Sequence, residues 1–279
     1  MKRRGLTVSF ALAAAVALLL SLVLGGNVYE RAHARPPEDV PPIQWVFGDA
    51  ELVDGNLVVS WARVHAWHGV KEVGVTIPVA VFDEMPEEDG PGPHGAYATL
   101  AFPDIVQETT YFNHVELHSN PHGHDTPPGS VNPIRNSVPH FDFHYYAIPE
   151  EAVWLIPAST VPPPLLPRVA PERLPAGYTQ PGRSIVEMGR HSSPIWSLFD
   201  PDFLSTIVLA GFLPDATQMH YIEPMVSRER LLERTDFELP VPMPAEFGRL
   251  MRYPTKFVAE YDADLDAYHF VYSEFVPVE

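Results

Sequence analysis

The chain contains no cysteine among its 279 residues. Disulfide bonds, thiolate metal ligands and lipid attachment at a lipobox are therefore excluded. Basic residues are also few, because 18 Lys and Arg stand against 36 Asp and Glu, which gives a formal net charge of −18 at pH 7. Such an acidic chain is repelled by the phosphates of nucleic acids and by anionic membrane surfaces. We expect no nucleic-acid partner.

Several motifs of well-understood enzymes are missing as well. The sequence has no glycine-rich phosphate-binding loop, no Gly-x-Ser-x-Gly nucleophile elbow and no internal repeat at a fixed period. A nucleotide-dependent enzyme and a serine hydrolase with that elbow are therefore disfavoured.

The first 34 residues have the pattern of a signal peptide. A basic start at residues 2–4 precedes an almost uncharged run over 6–26, and Ala32-His33-Ala34 has small residues where a signal peptidase recognises its substrate. We predict cleavage before Arg35, a secreted, periplasmic or cell-envelope location, and no membrane contact after cleavage. The alternative is an uncleaved membrane anchor, because the apolar run approaches the length that spans a bilayer.

Proline is abundant, with 32 residues scattered along the chain, and this interrupts long helices. A mainly β fold is predicted, with α+β as the alternative: an antiparallel sheet in a sandwich or barrel, few short helices and long proline-rich loops. Residues 35–279 are predicted to form one β-rich metal-binding domain. A subdivision at the proline-rich crossing 157–181 stays open.

Individual strands follow from apolar runs and turn residues. Asp54-Gly55 between apolar runs predicts a hairpin over 52–59, and a further strand is expected over 73–82. A second hairpin is predicted from 256–261 and 268–275. The single helix with clear signals follows Ser227, which would cap residues 228–233.

Six of the thirteen histidines fall between His114 and His144. From Pro139 to Tyr146 aromatic and polar residues alternate, which predicts a strand with His140, Asp142 and His144 on one face. Imidazole nitrogen and carboxylate oxygen together suit zinc, iron(II) or manganese. Asp142 would bind the ion directly or orient an imidazole.

A second strand repeats this pattern with His114, Glu116 and His118 on one face. If the two strands pair, up to six ligand-type groups meet, although a polar face turned to solvent explains the second strand equally well. The loop between them carries His122 and His124, of which His124 is the favoured additional ligand. Five other histidines are interpreted as ordinary hydrogen-bonded or exposed side chains: His65, His68, His94, His220 and His269.

Four short boxes occur in order along the chain: Asn120-Pro121-His122-Gly123-His124, Pro139-His140-Phe141-Asp142-Phe143-His144-Tyr145, Met188-Gly189-Arg190-His191 and Glu223-Pro224-Met225. They resemble the boxes of an uncharacterised exported bacterial family whose members are usually labelled hypothetical proteins. His122 and Ser192 depart from that pattern, which has a Met-like and a Trp-like residue there. The resemblance implies no established reaction, suggests a homo-oligomer, and marks six site residues: His124, His140, Asp142, His144, His191 and Glu223. It gives no such support to His114, Glu116 and His118.

Three functions remain open from the sequence. The first is an exported protein that binds a divalent metal, with zinc preferred over iron or manganese, through His140 and His144 with His124 and His191. Weaker metal ligands are His114, His118 and His122. The second is a metal-dependent hydrolase acting on an unknown small molecule, with Glu116, Glu187 or Glu223 as the base. The third is a metal-free β-scaffold for protein contacts.

Overall fold

The computed structural model describes residues 43–87, 89–123, 138–162, 165–198 and 206–279. The predicted signal peptide and His124 lie outside these ranges. No helix in the described part of the chain is long and apolar enough to cross a membrane. The predicted mainly β class is confirmed, because the described residues contain fifteen strands against four short α-helices and two short 3-10 helices.

The strands follow one another in chain order as β1 (Ile43–Val53), β2 (Asn56–His65), β3 (Gly69–Pro78), β4 (Ala98–Ala101), β5 (His114–Asn120), β6 (His140–Tyr146), β7 (Ser184–Ile185), β8 (Gly189–Ser192), β9 (Ile207–Phe212), β10 (Met219–Ser227), β11 (Phe237–Leu239), β12 (Met251–Tyr253), β13 (Lys256–Asp262), β14 (Ala267–Ser273) and β15 (Val276–Val278). The helices are α1 (Val79–Glu84), α2 (Asp104–Thr109), α3 (Glu150–Val153) and α4 (Arg228–Leu232).

These strands form two large sheets in which all pairs are antiparallel. The first has six strands in the order β1-β2-β3-β14-β13-β11, and the second has seven in the order β4-β5-β6-β10-β9-β8-β7. A small ribbon pairs β12 with β15. Strand β6 therefore lies inside the larger sheet, with β5 on one side and β10 on the other.

Local turn chemistry explains the hairpins. Asp54 and Gly55 both have positive φ, at 49° and 83°, which is the backbone of a tight two-residue turn between β1 and β2. The hairpin of β13 and β14 also forms as predicted. The expected strand over 73–82 is wrong at its end, because β3 stops at Pro78 and α1 begins at the next residue.

Proline explains that correction and three missed helices. Helices α1, α2 and α3 begin directly after Pro78, Pro103 and Pro149. Proline lacks an N–H and cannot continue a strand ladder, yet its fixed φ suits the beginning of a helix. The abundance of proline indicates that long helices are interrupted, but it does not show where short helices begin. Helix α4 was predicted, and the Ser227 side chain accepts a hydrogen bond from the Arg230 amide as a cap should.

The two large sheets pack face to face over an aromatic core. Phe143 and Tyr145 of β6 meet Phe270 and Tyr272 of β14, with ring centroids 4.4 Å apart for Phe143–Phe270 and 4.8 Å for Tyr145–Tyr272. A single cluster of buried apolar residues joins both sheets. Because side chains alternate along a strand, the residues between these aromatics must point to the opposite face of the seven-stranded sheet.

Candidate metal site

The opposite face of the seven-stranded sheet carries the predicted ligand residues side by side. Strands β5 and β6 pair, with Glu116 opposite His144 and His118 opposite Asp142. On the other side of β6, Ile222 pairs with Tyr145 and Met225 with Asp142. The same register puts Glu223 opposite His144. His144 is therefore flanked across the sheet by two carboxylates, and the two histidine-bearing strands do pair, which the sequence left open.

This polar face is buried. Seven residues of β5, β6 and β10 have exposed fractions between 0% and 6%: His114, Glu116, His118, His140, Asp142, His144 and Glu223. A solvent-facing polar surface, the alternative considered for β5, is therefore wrong. Burying charged groups is costly unless they are paired with other groups or bind a metal. Partners for the ionisable side chains of this face are therefore expected.

Three ligand-type residues converge at its centre and could hold a metal ion. One ligand atom each from His144, His191 and Glu223 lies within 4.8 Å of the others. Nε2 of His144 is 3.4 Å from Oε2 of Glu223, and Nε2 of His191 is 3.2 Å from the same oxygen. Ligand atoms bound to one zinc ion at about 2.0–2.1 Å in a tetrahedron are about 3.3 Å apart. Both nitrogen-to-oxygen distances are therefore suitable for ligands that share one ion.

The imidazole of His144 is in an environment that favours binding of such an ion. It is fully buried, and neither ring nitrogen makes a hydrogen bond to another group in the described ranges. Burial, followed by the electrostatic effect of neighbouring imidazoles, holds the pKa of His144 well below 6.5. The ring is therefore neutral at pH 7, and a neutral imidazole is the form that binds metals.

Glu116 lies between two imidazoles of its own strand. Its Oε1 is 3.4 Å from Nε2 of His114, and its Oε2 is 3.3 Å from Nε2 of His118. Burial alone would raise the pKa of Glu116, but hydrogen bonds from His114 and His118 outweigh it and hold the pKa below 4.5. The buried side chain is therefore a carboxylate at neutral pH.

His140 and Asp142 form a separate pair further along β6. Nε2 of His140 is 3.6 Å from Oδ1 of Asp142, and Nδ1 of His140 is 2.8 Å from the carbonyl oxygen of Val138, to which it can donate. Asn120 donates a hydrogen bond of 2.8 Å to Asp142. Both predicted ligands share the face of His144, but in the described ranges their ligand atoms do not join the group of His144, His191 and Glu223.

The other predicted site residues are distributed around this group. Glu187 lies in the turn before β8, where its Oε2 accepts a hydrogen bond of 2.9 Å from the amide of His94. His122 is exposed in the turn after β5, and His124 lies outside the described residues. The imidazole of His191 is 24% exposed, so the group opens toward solvent on the side of β8.

Two residues near the site, one tyrosine and one glycine, were not predicted to belong to it. The ring of Tyr221 lies 5.0 Å from that of His144 and 5.6 Å from that of His191, measured between centroids. Gly211 pairs with both Tyr221 and His191 on its two neighbouring strands. No motif indicated either residue, because their relevance depends only on which strands are neighbours.

Among the histidines interpreted as ordinary, His220 fits that description. It is buried, and its Nε2 is 2.9 Å from the carbonyl oxygen of Met188. His94 is also exposed, as this interpretation allows, although its ring lies 6.3 Å from that of His118 at the edge of the buried face. The resemblance of the four boxes to an exported bacterial family stays a prediction, because no family model, no curated protein and no solved structure matches the chain.

Proposed function

We propose that the protein binds a divalent metal ion through His144, His191 and Glu223. The observation that carries this proposal is the convergence of three ligand atoms from three strands, β6, β8 and β10, at spacings suited to one ion. An ion at this point would offset the cost of burying the Glu223 carboxylate. It would also connect strands that are distant in the chain.

Zinc is the metal that this ligand set suits best. Two imidazole nitrogens and one carboxylate oxygen are found in zinc sites, and iron(II) or manganese accept the same atoms. The absence of cysteine disfavours metals that require thiolate ligands. His140 and Asp142 would support the site from further along β6, and His124 is proposed as an additional ligand.

A metal-dependent hydrolase is the second candidate. Three protein ligands and a solvent-facing side at His191 favour it, because catalytic zinc sites keep one coordination position open whereas structural sites close all four. A bound ion would supply Lewis-acid activation of water. Glu116 lies opposite His144 on the neighbouring strand, which makes it the best positioned of the three carboxylates proposed as a base.

We further propose that the protein acts outside the cytoplasm. The support is the basic start, the apolar run over 6–26 and the small residues at Ala32-His33-Ala34. Association into homo-oligomers stays a prediction.

The test of metal binding compares parent protein with His144→Ala, His191→Ala and Glu223→Gln variants, each given one equivalent of zinc. After removal of free metal, elemental analysis of the parent should show about one ion per chain, and each variant should lose most of it. Circular dichroism checks that the variants remain folded, for which the nearly isosteric Glu223→Gln is the safest.

An exposed imidazole provides the matched control. His68→Ala removes a side chain that is exposed in the turn between β2 and β3 of the six-stranded sheet, and it should retain the parent's zinc. Equal zinc content in the parent and in all three ligand variants would overturn the proposal. Loss of zinc in the control as well would mean that surface histidines, and not the buried group, bind the metal.

A further inference from the structure

We propose that a second divalent ion binds beside the first, held by His94, His118 and Glu116. This inference rests on the proposed function, since it extends the same buried face to a two-metal centre, in which Glu116 binds metal instead of acting as a base. The second position would be the outer one, because His94 is exposed whereas His144 and Glu223 are buried.

Two of its three ligands are already in place. Nε2 of His118 is 3.3 Å from Oε2 of Glu116, which lies between the two nitrogen-to-oxygen distances of the first group, 3.2 and 3.4 Å. This spacing again fits two ligands of one tetrahedral ion. His118 is 6% exposed and Glu116 is fully buried, so both side chains are held by their surroundings.

His94 supplies the third ligand from a different part of the chain. Its ring centroid is 6.3 Å from that of His118, close to the 6.2 Å between His144 and His191 in the first group. A rotation of the exposed His94 side chain is needed to bring a ring nitrogen into position. The second ion should therefore bind more weakly than the first.

The backbone around His94 is held in an unusual conformation. His94 and Glu187 both have positive φ, at 48° and 57°, and the His94 amide donates to the Glu187 carboxylate. Non-glycine residues in this region are strained, and such strain is concentrated at functional sites. The contact fixes the loop of residues 93–95 against the turn that precedes β8 and its ligand His191.

The two positions are direct neighbours. The rings of His118 and His144 are 4.6 Å apart, and Glu116 lies opposite His144 across the β5–β6 pair. Two buried carboxylates, Glu116 and Glu223, thus flank one imidazole. Adjacent metal ions in such a centre are typical of hydrolytic enzymes, where the pair acts on one substrate.

The experiment is equilibrium dialysis of the full mature chain against increasing free zinc, with bound metal measured by elemental analysis. The parent should reach two ions per chain, the second at higher free zinc. His94→Ala, which alters only an exposed side chain, should bind the first ion as the parent does. Its affinity for the second should fall by at least about tenfold, the loss that even indirect metal partners cause.

A second variant and a control keep the outcome unambiguous. Glu116→Gln should also weaken binding of the second ion, whereas His68→Ala, an exposed imidazole elsewhere, should bind two ions as the parent does. A parent that saturates at one ion overturns the second position but leaves the proposed function intact. A parent that binds no zinc overturns both, and two ions with unchanged affinity in His94→Ala and Glu116→Gln overturn this assignment of ligands.

Discussion

The ring of Tyr221 lies directly over Gly211, the residue that faces it on the neighbouring strand. A Cβ atom added to Gly211 would be 2.0 Å from both Cε1 and Cζ of that ring, far inside any normal contact. The same ring contacts the imidazoles of His144 and His191. The missing side chain at Gly211 therefore gives Tyr221 the room to pack between two of the proposed metal ligands.

Replacing Gly211 by Ala should weaken metal binding as well as the fold. The added methyl group forces Tyr221 to move, and overpacking of this kind costs about 1–3 kcal/mol of stability. Because Tyr221 packs against His144 and His191, its movement should disturb their spacing and lower zinc affinity. Thermal unfolding and competition with a chromogenic chelator measure the two effects.

Gly74→Ala is the matched control for that substitution. A Cβ atom at Gly74 would be 2.4 Å from the Trp61 ring, in the six-stranded sheet and away from the metal ligands. This variant should lose comparable stability and keep the parent's zinc affinity. If both variants lose zinc affinity equally, the loss in Gly211→Ala results from general destabilisation and not from a movement of Tyr221.

Acid should destabilise the metal-free protein partly through His220. Burial lowers the pKa of His220 to about 3 in the folded chain, whereas in the unfolded chain it is near 6.5. Below about pH 6.5 the unfolded state binds a proton that the folded state does not. The neutral His220 side chain therefore gives its full contribution to the free energy of unfolding above about pH 6.5. This contribution is lost progressively as the pH falls toward 3.

Urea unfolding in the presence of EDTA at pH 7, 6 and 5 measures this effect. A single group of this kind changes the free energy of unfolding by up to about 1.4 kcal/mol per pH unit. His220→Gln, which retains an amide donor for the Met188 carbonyl, should show a pH dependence that is shallower by up to this amount. His68→Gln, at an exposed position, should follow the parent. An unchanged slope in His220→Gln would contradict the prediction.

Arg190 should be essential for the position of the proline-rich crossing. Arg190 is 2% exposed, and its guanidinium donates to the carbonyl oxygens of Pro167, Pro181 and Gly182, at 2.7, 2.9 and 2.9 Å. Lysine has one ammonium group and cannot reproduce this fork of donors. Arg190→Lys should lower the free energy of unfolding by about 3 kcal/mol, since buried carbonyl groups lose their partners.

Limited proteolysis gives an independent measurement of the same substitution. The segment 165–182 should be cleaved faster in Arg190→Lys than in the parent, because its carbonyl anchors are lost. Arg183→Lys, at an exposed neighbouring position, should be cleaved like the parent. Equal stability and equal cleavage of Arg190→Lys and parent would show that the crossing is held by other contacts.

The mature protein should begin at Arg35. Small residues at Ala32 and Ala34 provide the recognition positions for signal peptidase, after an apolar run over 6–26. Intact-mass spectrometry of protein recovered from the medium or the envelope measures the cleavage position. A full-length mass in the membrane fraction would instead support the uncleaved anchor.

Much of the fold could be predicted because it depends on neighbours in the chain. Alternation along 140–146 predicted strand β6 and the shared face of its two histidines, and Asp54-Gly55 predicted a tight hairpin turn. Ser227 predicted the start of α4. The prolines were less informative, because one residue type can both end a strand and begin a helix, as Pro78 does.

The amino-acid sequence by itself determined which side chains share a strand face, since a period of two is a property of the backbone. Which of them meet was decided only by the tertiary structure. His191 and Glu223 reach His144 because β8 and β10 belong to the same sheet as β6, a strand order that no local pattern encodes. Burial of His114, Glu116 and His118 was likewise undetermined, because alternation describes a buried polar face and a solvated one equally well until other parts of the chain cover it.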